Sequence, residues 1–149
     1  MQQFLRILAF AALVVPLAVY ADRCPKPNES VKTEPYAKTF NCPATSIVVE
    51  GEKYPAEYED CFDITPIKKE SVFYEKGSKD RQPLTSVNSL LPNTEKDFKN
   101  RTWSVSDVQC KEKNSVTVVY WGGGNCTGCE RKVQYRFNAN GELEEAKLK

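Results

Sequence analysis

The chain has 149 residues, 21 Lys and Arg against 20 Asp and Glu, a net charge of +1 and no histidine. Charges of both signs are interspersed, and Lys68-Lys69 and Arg131-Lys132 are too short to form the basic stripe that phosphate contacts require, so no nucleic-acid partner is expected. Without histidine, Ser-His-Asp and Cys-His nucleophilic catalysis, histidine-based ribonuclease chemistry and histidine metal sites are closed in their usual forms.

Residues 1–21 have the pattern of a secretory signal peptide: Arg6 near the start, an almost wholly apolar run over 7–20 and Ala21 before the cleavage point. The apolar run is shorter than the roughly 20 residues a membrane span needs. No later segment is apolar enough to cross a bilayer. The mature chain, 22–149, is then about 128 residues, a length suited to one domain with a real core. It is expected to be secreted, extracellular and monomeric.

Residues 22–41 are polar and carry Pro25, Pro27 and Pro35, which suggests an irregular arm tied down at Cys24. Ile47, Val48 and Val49 mark a strand over 45–51. Residues 53–63 are acidic and aromatic, and Pro55 argues against a clean helix there. Val72, Phe73 and Tyr74 mark a second strand, closed by Gly77. Leu84, Val87, Leu90 and Leu91 recur at helical spacing before Pro92, which predicts one short helix. Trp103 and Val105 share one phase, whereas Val108 and Cys110 hold the opposite one. That slip predicts a bulge near Ser106-Asp107.

The last third has the clearest pattern. Residues 116–121 are apolar on both faces, as in a central strand. Over 132–137 Val133, Tyr135 and Phe137 alternate with Lys132, Gln134 and Arg136, which predicts a strand with one buried face. Asn140-Gly141 is a hairpin signal, and 142–148 should return as an edge strand, although Leu143, Ala146 and Leu148 do not alternate. The predicted fold is mainly β: a small single-domain antiparallel sandwich or barrel with a C-terminal meander and one short helix.

The six cysteines are Cys24, Cys42, Cys61, Cys110, Cys126 and Cys129. An even number in an exported chain implies three disulfides, with the pairing open. Cys126-Thr-Gly-Cys129 admits a redox dithiol, a zinc site or a structural role. A strand rather than a helix comes after it, and a redox pair commonly relies on a helix N-terminus to lower its thiolate pKa. A lone CxxC is incomplete for zinc. The expectation is therefore structural, with the two cysteines bridging to different, distant partners and pinning a glycine-rich loop. No metal and no cofactor are expected. Asn28, Asn100 and Asn125 each open an N-x-Ser/Thr sequon, so they are candidate glycosylation sites on the surface.

Two clusters remain. Glu57, Glu59, Asp60 and Asp63 are the densest acidic group, and a carboxylate-dependent enzyme would have to draw on it; a solvated acidic face is the simpler reading. Tyr120, Trp121, Gly122, Gly123 and Gly124 place two large aromatics beside three glycines. They form either a recognition loop with aromatic anchors or a tight bend around a buried Trp121.

Lys53-Tyr54-Pro55 with Cys61, and Cys24-Pro25, resemble short stretches of secreted lipocalins. The resemblance covers only those residues, and the Gly-x-Trp-Tyr signature is missing. It implies a carrier with an apolar cavity lined by Phe73, Tyr74, Val118 and Tyr135. In general character the chain is similar to secreted effectors and immunomodulators of fungi and parasites. The leading expectation is a non-catalytic binding protein for an extracellular protein or glycan. A carrier of a small hydrophobic ligand and a carboxylate- or CxxC-dependent enzyme are the alternatives.

Overall fold

The computed structural model describes residues 24, 30–61, 67–76, 80–124 and 126–149. The proposed signal segment, Asn28, Asn125, Asp63 and Gly77 lie outside these residues.

Eight strands run in chain order. They are β1 (Glu34–Asn41), β2 (Ser46–Lys53), β3 (Ile67–Lys76), β4 (Asp80–Pro83), β5 (Ser104–Glu112), β6 (Ser115–Trp121), β7 (Glu130–Phe137) and β8 (Leu143–Leu148). The first four form one antiparallel sheet in sequential order, and the last four form a second. Two single helical turns, α1 (Val87–Leu90) and α2 (Lys96–Lys99), fill the connection between the sheets. A 3-10 turn, Ala56–Cys61, comes after β2. The chain is thus mainly β, as the patterning predicts.

The two sheets bury their facing sides against each other. Ile47, Val49 and Tyr74 from the first meet Val116, Val118, Val133, Tyr135 and Phe137 from the second in one hydrophobic cluster. Tyr74 and Phe137 pack with ring centroids 5.2 Å apart. β6 lies between β5 and β7 and is buried on both faces: Val116, Val118 and Tyr120 join the core cluster, and Val119 on the opposite face is buried as well. In β7, Val133, Tyr135 and Phe137 are buried and Lys132 and Arg136 are exposed, as the alternation requires.

Two irregularities explain the phase slips in the sequence. The β5–β6 register shifts between Val105 and Asp107, so Ser106 is the extra residue that reverses the facing of the rest of the strand. The β7–β8 register shifts between Arg136 and Phe137. Leu143 opposes Phe137, then Ala146 opposes Tyr135 and Leu148 opposes Val133, so all three turn inward despite their uneven spacing. The β7–β8 connection turns at Gly141 (φ 76°), with the Asn138 Oδ1 accepting from the backbone N–H of Asn140 and Glu142.

One prediction needs correction. The arm over 22–41 is not irregular throughout, because 34–41 is strand β1. Its signal is hidden because an edge strand buries little: only Tyr36 and Phe40 are withdrawn even halfway, and Pro35 is tolerated at the strand's start. β4 is likewise unmarked, being wholly exposed. The helical spacing over 84–91 does yield the predicted short helix, the single turn α1, capped by Ser86, whose hydroxyl accepts from the Ser89 N–H.

Ties between the sheets supplement the core. Cys42, just beyond β1, is bonded to Cys110 in β5. Lys76 of β3 pairs with Glu142 in the β7–β8 connection at 2.9 Å. Tyr135 donates to the Thr85 carbonyl at 2.7 Å and lies 2.9 Å from the Tyr120 hydroxyl, so the core's polar atoms are partnered. Burial pushes the Tyr135 phenol up to about 12. Cys24 is also disulfide-bonded.

The bridge Cys42–Cys110 spans 68 residues and Cys126–Cys129 only 3. In the chain-entropy account the first contributes about 4 kcal/mol and the second about 2 kcal/mol. Replacing Cys42 and Cys110 by Ser is therefore expected to lower stability by about 4 kcal/mol in urea titration. Equal losses for the two cysteine pairs would contradict this ranking.

Candidate functional site

The site lies at one end of the second sheet, where the β6–β7 connection meets the chain leaving α2. Gly123 (φ 80°) and Gly124 (φ 75°) both take left-handed backbone that other residues rarely adopt. Gly122 is needed for a different reason: a Cβ there would lie 2.9 Å from the Trp103 ring. The three glycines thus let the connection bend while the chain passes flush against an indole.

The turn closes on itself. The Cys129 N–H donates to the Cys126 carbonyl at 3.0 Å, and the two cysteines form a disulfide with Cα atoms 5.2 Å apart. This corrects the expectation that each would reach a distant cysteine. The tight turn within the connection sets the two within bonding distance of each other. The predicted strand after them stands, as β7. Cys126 is exposed and Cys129 is 2% exposed.

Arg101 braces this loop from outside. Its Nη1 donates to the carbonyls of Gly122 and Gly123 at 3.3 and 3.2 Å. The same atom lies 3.2 Å from the Cys129 Sγ and 3.9 Å from the Cys126 Sγ. The Phe98 ring of α2 carries both nearby guanidinium groups, Arg101 at 4.7 Å and Arg131 at 5.1 Å. Arg131 is also ion-paired to Glu95.

The five aromatic-glycine residues separate into different roles. Tyr120 is buried, bonded to Tyr135, and its phenol is held well above its ordinary pKa by burial. Trp121 is half-buried at the rim, its Nε1 donating to the Gly124 carbonyl at 3.2 Å. Gly122 and Gly123 are buried, and Gly124 is exposed. Trp103 rather than Trp121 is the core indole, and its Nε1 donates to Asn88 at 3.0 Å.

Beside the loop, a groove of about 400 Å³ opens between β3 on one side and the segment entering β5 and the end of β6 on the other, with the chain around α1 along it. Phe73, Leu84, Trp103 and Tyr120 give it apolar walls, and Lys69 and Arg101 stand at its edge. Glu70 also lines it. One carboxylate oxygen accepts from the Tyr36 hydroxyl, and the other accepts from the Val105 N–H at 2.6 Å, tying β3 to β5. Burial raises the Glu70 carboxyl above its ordinary range, against the lowering effect of both hydrogen bonds. Burial also raises the Tyr36 phenol.

The other expected residues disperse. Of the imagined cavity lining, Tyr74, Val118 and Tyr135 are packed in the core, and only Phe73 faces the groove. Glu57 is exposed on the 3-10 turn, and the side chains of Glu59 and Asp60 are outside the description. Asn100 is exposed at the end of α2, next to Arg101. Among the described residues, no three metal-ligating side chains converge, and no helix is long and apolar enough to cross a membrane. Sequence reasoning missed Arg101, Trp103, Asn88 and Glu70 as site residues. Arg101 meets Cys129 across 28 positions, and no local pattern announces such a contact.

No protein-family model, no curated protein and no solved structure matches this chain.

Two outcomes test this geometry. A Gly122→Ala substitution drives a methyl into the Trp103 ring and is expected to cost about 1–3 kcal/mol in chemical denaturation. The folded carboxyl of Glu70 binds its proton more tightly than the unfolded chain does, so its contribution is full below the ordinary carboxylate range and is lost as pH rises through the raised value. Glu70→Gln is expected to remove that acid-side gain, so that Tm falls less than in the native chain as pH rises from the ordinary carboxylate value of about 4.3 through the raised one. An identical pH profile for the two proteins would contradict the assignment.

Proposed function

We propose that this is a secreted, non-catalytic binding protein of the effector or immunomodulator kind, which recognises an extracellular protein or glycan. The contact face would be the loop over 121–129 and the groove edge beside it. The observation that carries the reading is a half-exposed Trp121 on a connection braced by a disulfide and by the Arg101 contacts to the Gly122 and Gly123 carbonyls. Trp and Arg dominate the energetics of protein interfaces. A loop already fixed before contact avoids much of the ordering cost that association otherwise imposes. Tyr120 contributes indirectly, by anchoring the end of β6 in the core.

Export through the segment 1–21, glycosylation at Asn28, Asn100 and Asn125, and a monomeric state belong to the same proposal. Disulfides in the described chain fit an oxidising compartment. The exposure of Asn100 fits a carbohydrate-bearing surface beside the face.

The groove supports a second reading, a carrier of a small amphipathic ligand, because an apolar wall of Val72, Phe73, Leu84, Val87, Trp103 and Tyr120 is interleaved with polar and charged groups such as Lys69, Glu70, Asn88 and Arg101. Native mass spectrometry of the secreted protein separates the two. A carrier would show an added mass lost on denaturation, whereas a recognition protein would show none.

The recognition reading is tested by affinity capture with folded protein, followed by titration of the captured partner. Trp121→Ala is expected to weaken binding by at least about 30-fold, corresponding to about 2 kcal/mol, with little change in Tm. Unchanged affinity in the folded variant would contradict the assignment of the loop.

A further inference from the structure

We propose that the Cys126–Cys129 bridge is an exchangeable disulfide that reacts with thiols, with Cys126 as the attacked sulfur and Cys129 leaving as a thiolate held by Arg101. The step goes beyond the recognition reading and does not rest on it.

The two sulfurs differ in access. Cys126 is exposed and Cys129 is 2% exposed, so an incoming thiolate meets one sulfur and not the other. They also differ in what receives the charge. The Arg101 Nη1 is 3.2 Å from the Cys129 Sγ and 3.9 Å from the Cys126 Sγ. A disulfide sulfur accepts hydrogen bonds weakly, whereas a thiolate is a full anion, so the guanidinium contributes far more once the bond has broken. A more acidic leaving thiol leaves faster.

The surrounding charges leave Arg101 available for that role. Arg131 also stands against this turn, near Gly128, but is paired to Glu95. Glu130, next after Cys129, pairs with Lys132 at 3.4 Å. Among the described residues no carboxylate lies in ion-pair range of Arg101. Burial by itself would push the Cys129 thiol up, and the adjacent guanidinium opposes that. Among the described residues no helix N-terminus serves this CxxC pair; the Arg101 guanidinium supplies the positive charge there.

The chemistry balances without any other group. A thiolate attacks the Cys126 Sγ, a new S–S bond forms, the Cys126–Cys129 bond breaks, and its electron pair stays on the Cys129 Sγ. With a dithiol, the second thiolate then attacks its own partner's sulfur in the mixed disulfide. Cys126 is released as a thiolate, the dithiol becomes a disulfide, and the protein holds the reduced pair. Two electrons pass to the protein, and a disulfide compound reverses both steps.

The competing role for Arg101 is a mechanical clamp on the Gly122 and Gly123 carbonyls. The test separates the two. The full secreted chain carries Asn125→Gln so that no glycan adjoins Cys126, and it is exposed at neutral pH to glutathione in one arm and to an unfolded cysteine-bearing protein in the other. No recognition partner is present, so failure here leaves the binding proposal untouched. The expected result is a mixed disulfide mapped to Cys126 by peptide mass spectrometry in folded protein, with Cys42–Cys110 intact; the relative rates in the two arms tell small thiols from protein thiols. Arg101→Gln is expected to slow exchange by about tenfold, with Arg101→Lys recovering most of the rate. In Cys126→Ser, the Cys129 thiol should alkylate with a pKa below the ordinary value of about 8.5 and rise when Arg101→Gln is added. A clamp alone would not produce that rise. Opening of the bridge only on global unfolding, or an unchanged rate and thiol pKa in Arg101→Gln, would overturn the proposal. Adduct mapping in the chain with native Arg101 decides the question even if Arg101→Gln fails to fold.

Discussion

The face-to-face burial of the two sheets is the contact on which everything else depends. Ile47 and Val49 on one side, and Val116, Val118, Val133, Tyr135 and Phe137 on the other, are almost wholly removed from water. A fully buried aliphatic or aromatic side chain contributes about 1.5–3 kcal/mol, so this cluster outweighs any single surface ion pair. The exposed pairs, such as Lys53–Glu34 at 3.9 Å, decorate a fold that the core has already determined. The Cys42–Cys110 bridge adds to that core by tying the end of β1 to β5.

The core also accounts for the precision of the site. β6 is an inner strand of its sheet, and its last residues run out of the core into the glycine connection: Tyr120 is fixed by Tyr135, Trp121 reaches the rim, and Gly122 lies against the buried Trp103. The loop inherits its position from a strand that cannot shift without disturbing the packed layer. Arg101 then joins a second element, the chain leaving α2, to the same loop. A side chain held in this way from two directions suits recognition, and the same rigidity holds a guanidinium beside a sulfur.

The sequence reveals the parts of the fold where burial is one-sided or complete. β7 is legible because Val133, Tyr135 and Phe137 alternate cleanly, and β6 because its apolar residues leave no polar face. The Ser106 bulge is legible as a change of phase. β1 and β4 are not legible, because edge strands carry mostly exposed side chains and leave little pattern. At the site, the glycines and the CxxC pair are visible as local motifs, but their bonding differs from the expected one. The pairing of cysteines depends on how the chain turns between them, and the turn that sets the Cys126 and Cys129 Cα atoms 5.2 Å apart is not written in their spacing. Arg101, Asn88 and Glu70 act through contacts between remote parts of the chain, where composition and periodicity carry no information.

The most direct measurement is a disulfide map of the native protein, made by proteolysis under conditions that block exchange and by mass spectrometry of the linked peptides. The account requires a cross-link between Cys42 and Cys110, and a separate closed loop between Cys126 and Cys129. A native bridge from Cys126 or Cys129 to any of the other four cysteines would contradict it, because neither the loop geometry nor the position of Arg101 against the sulfurs could then hold.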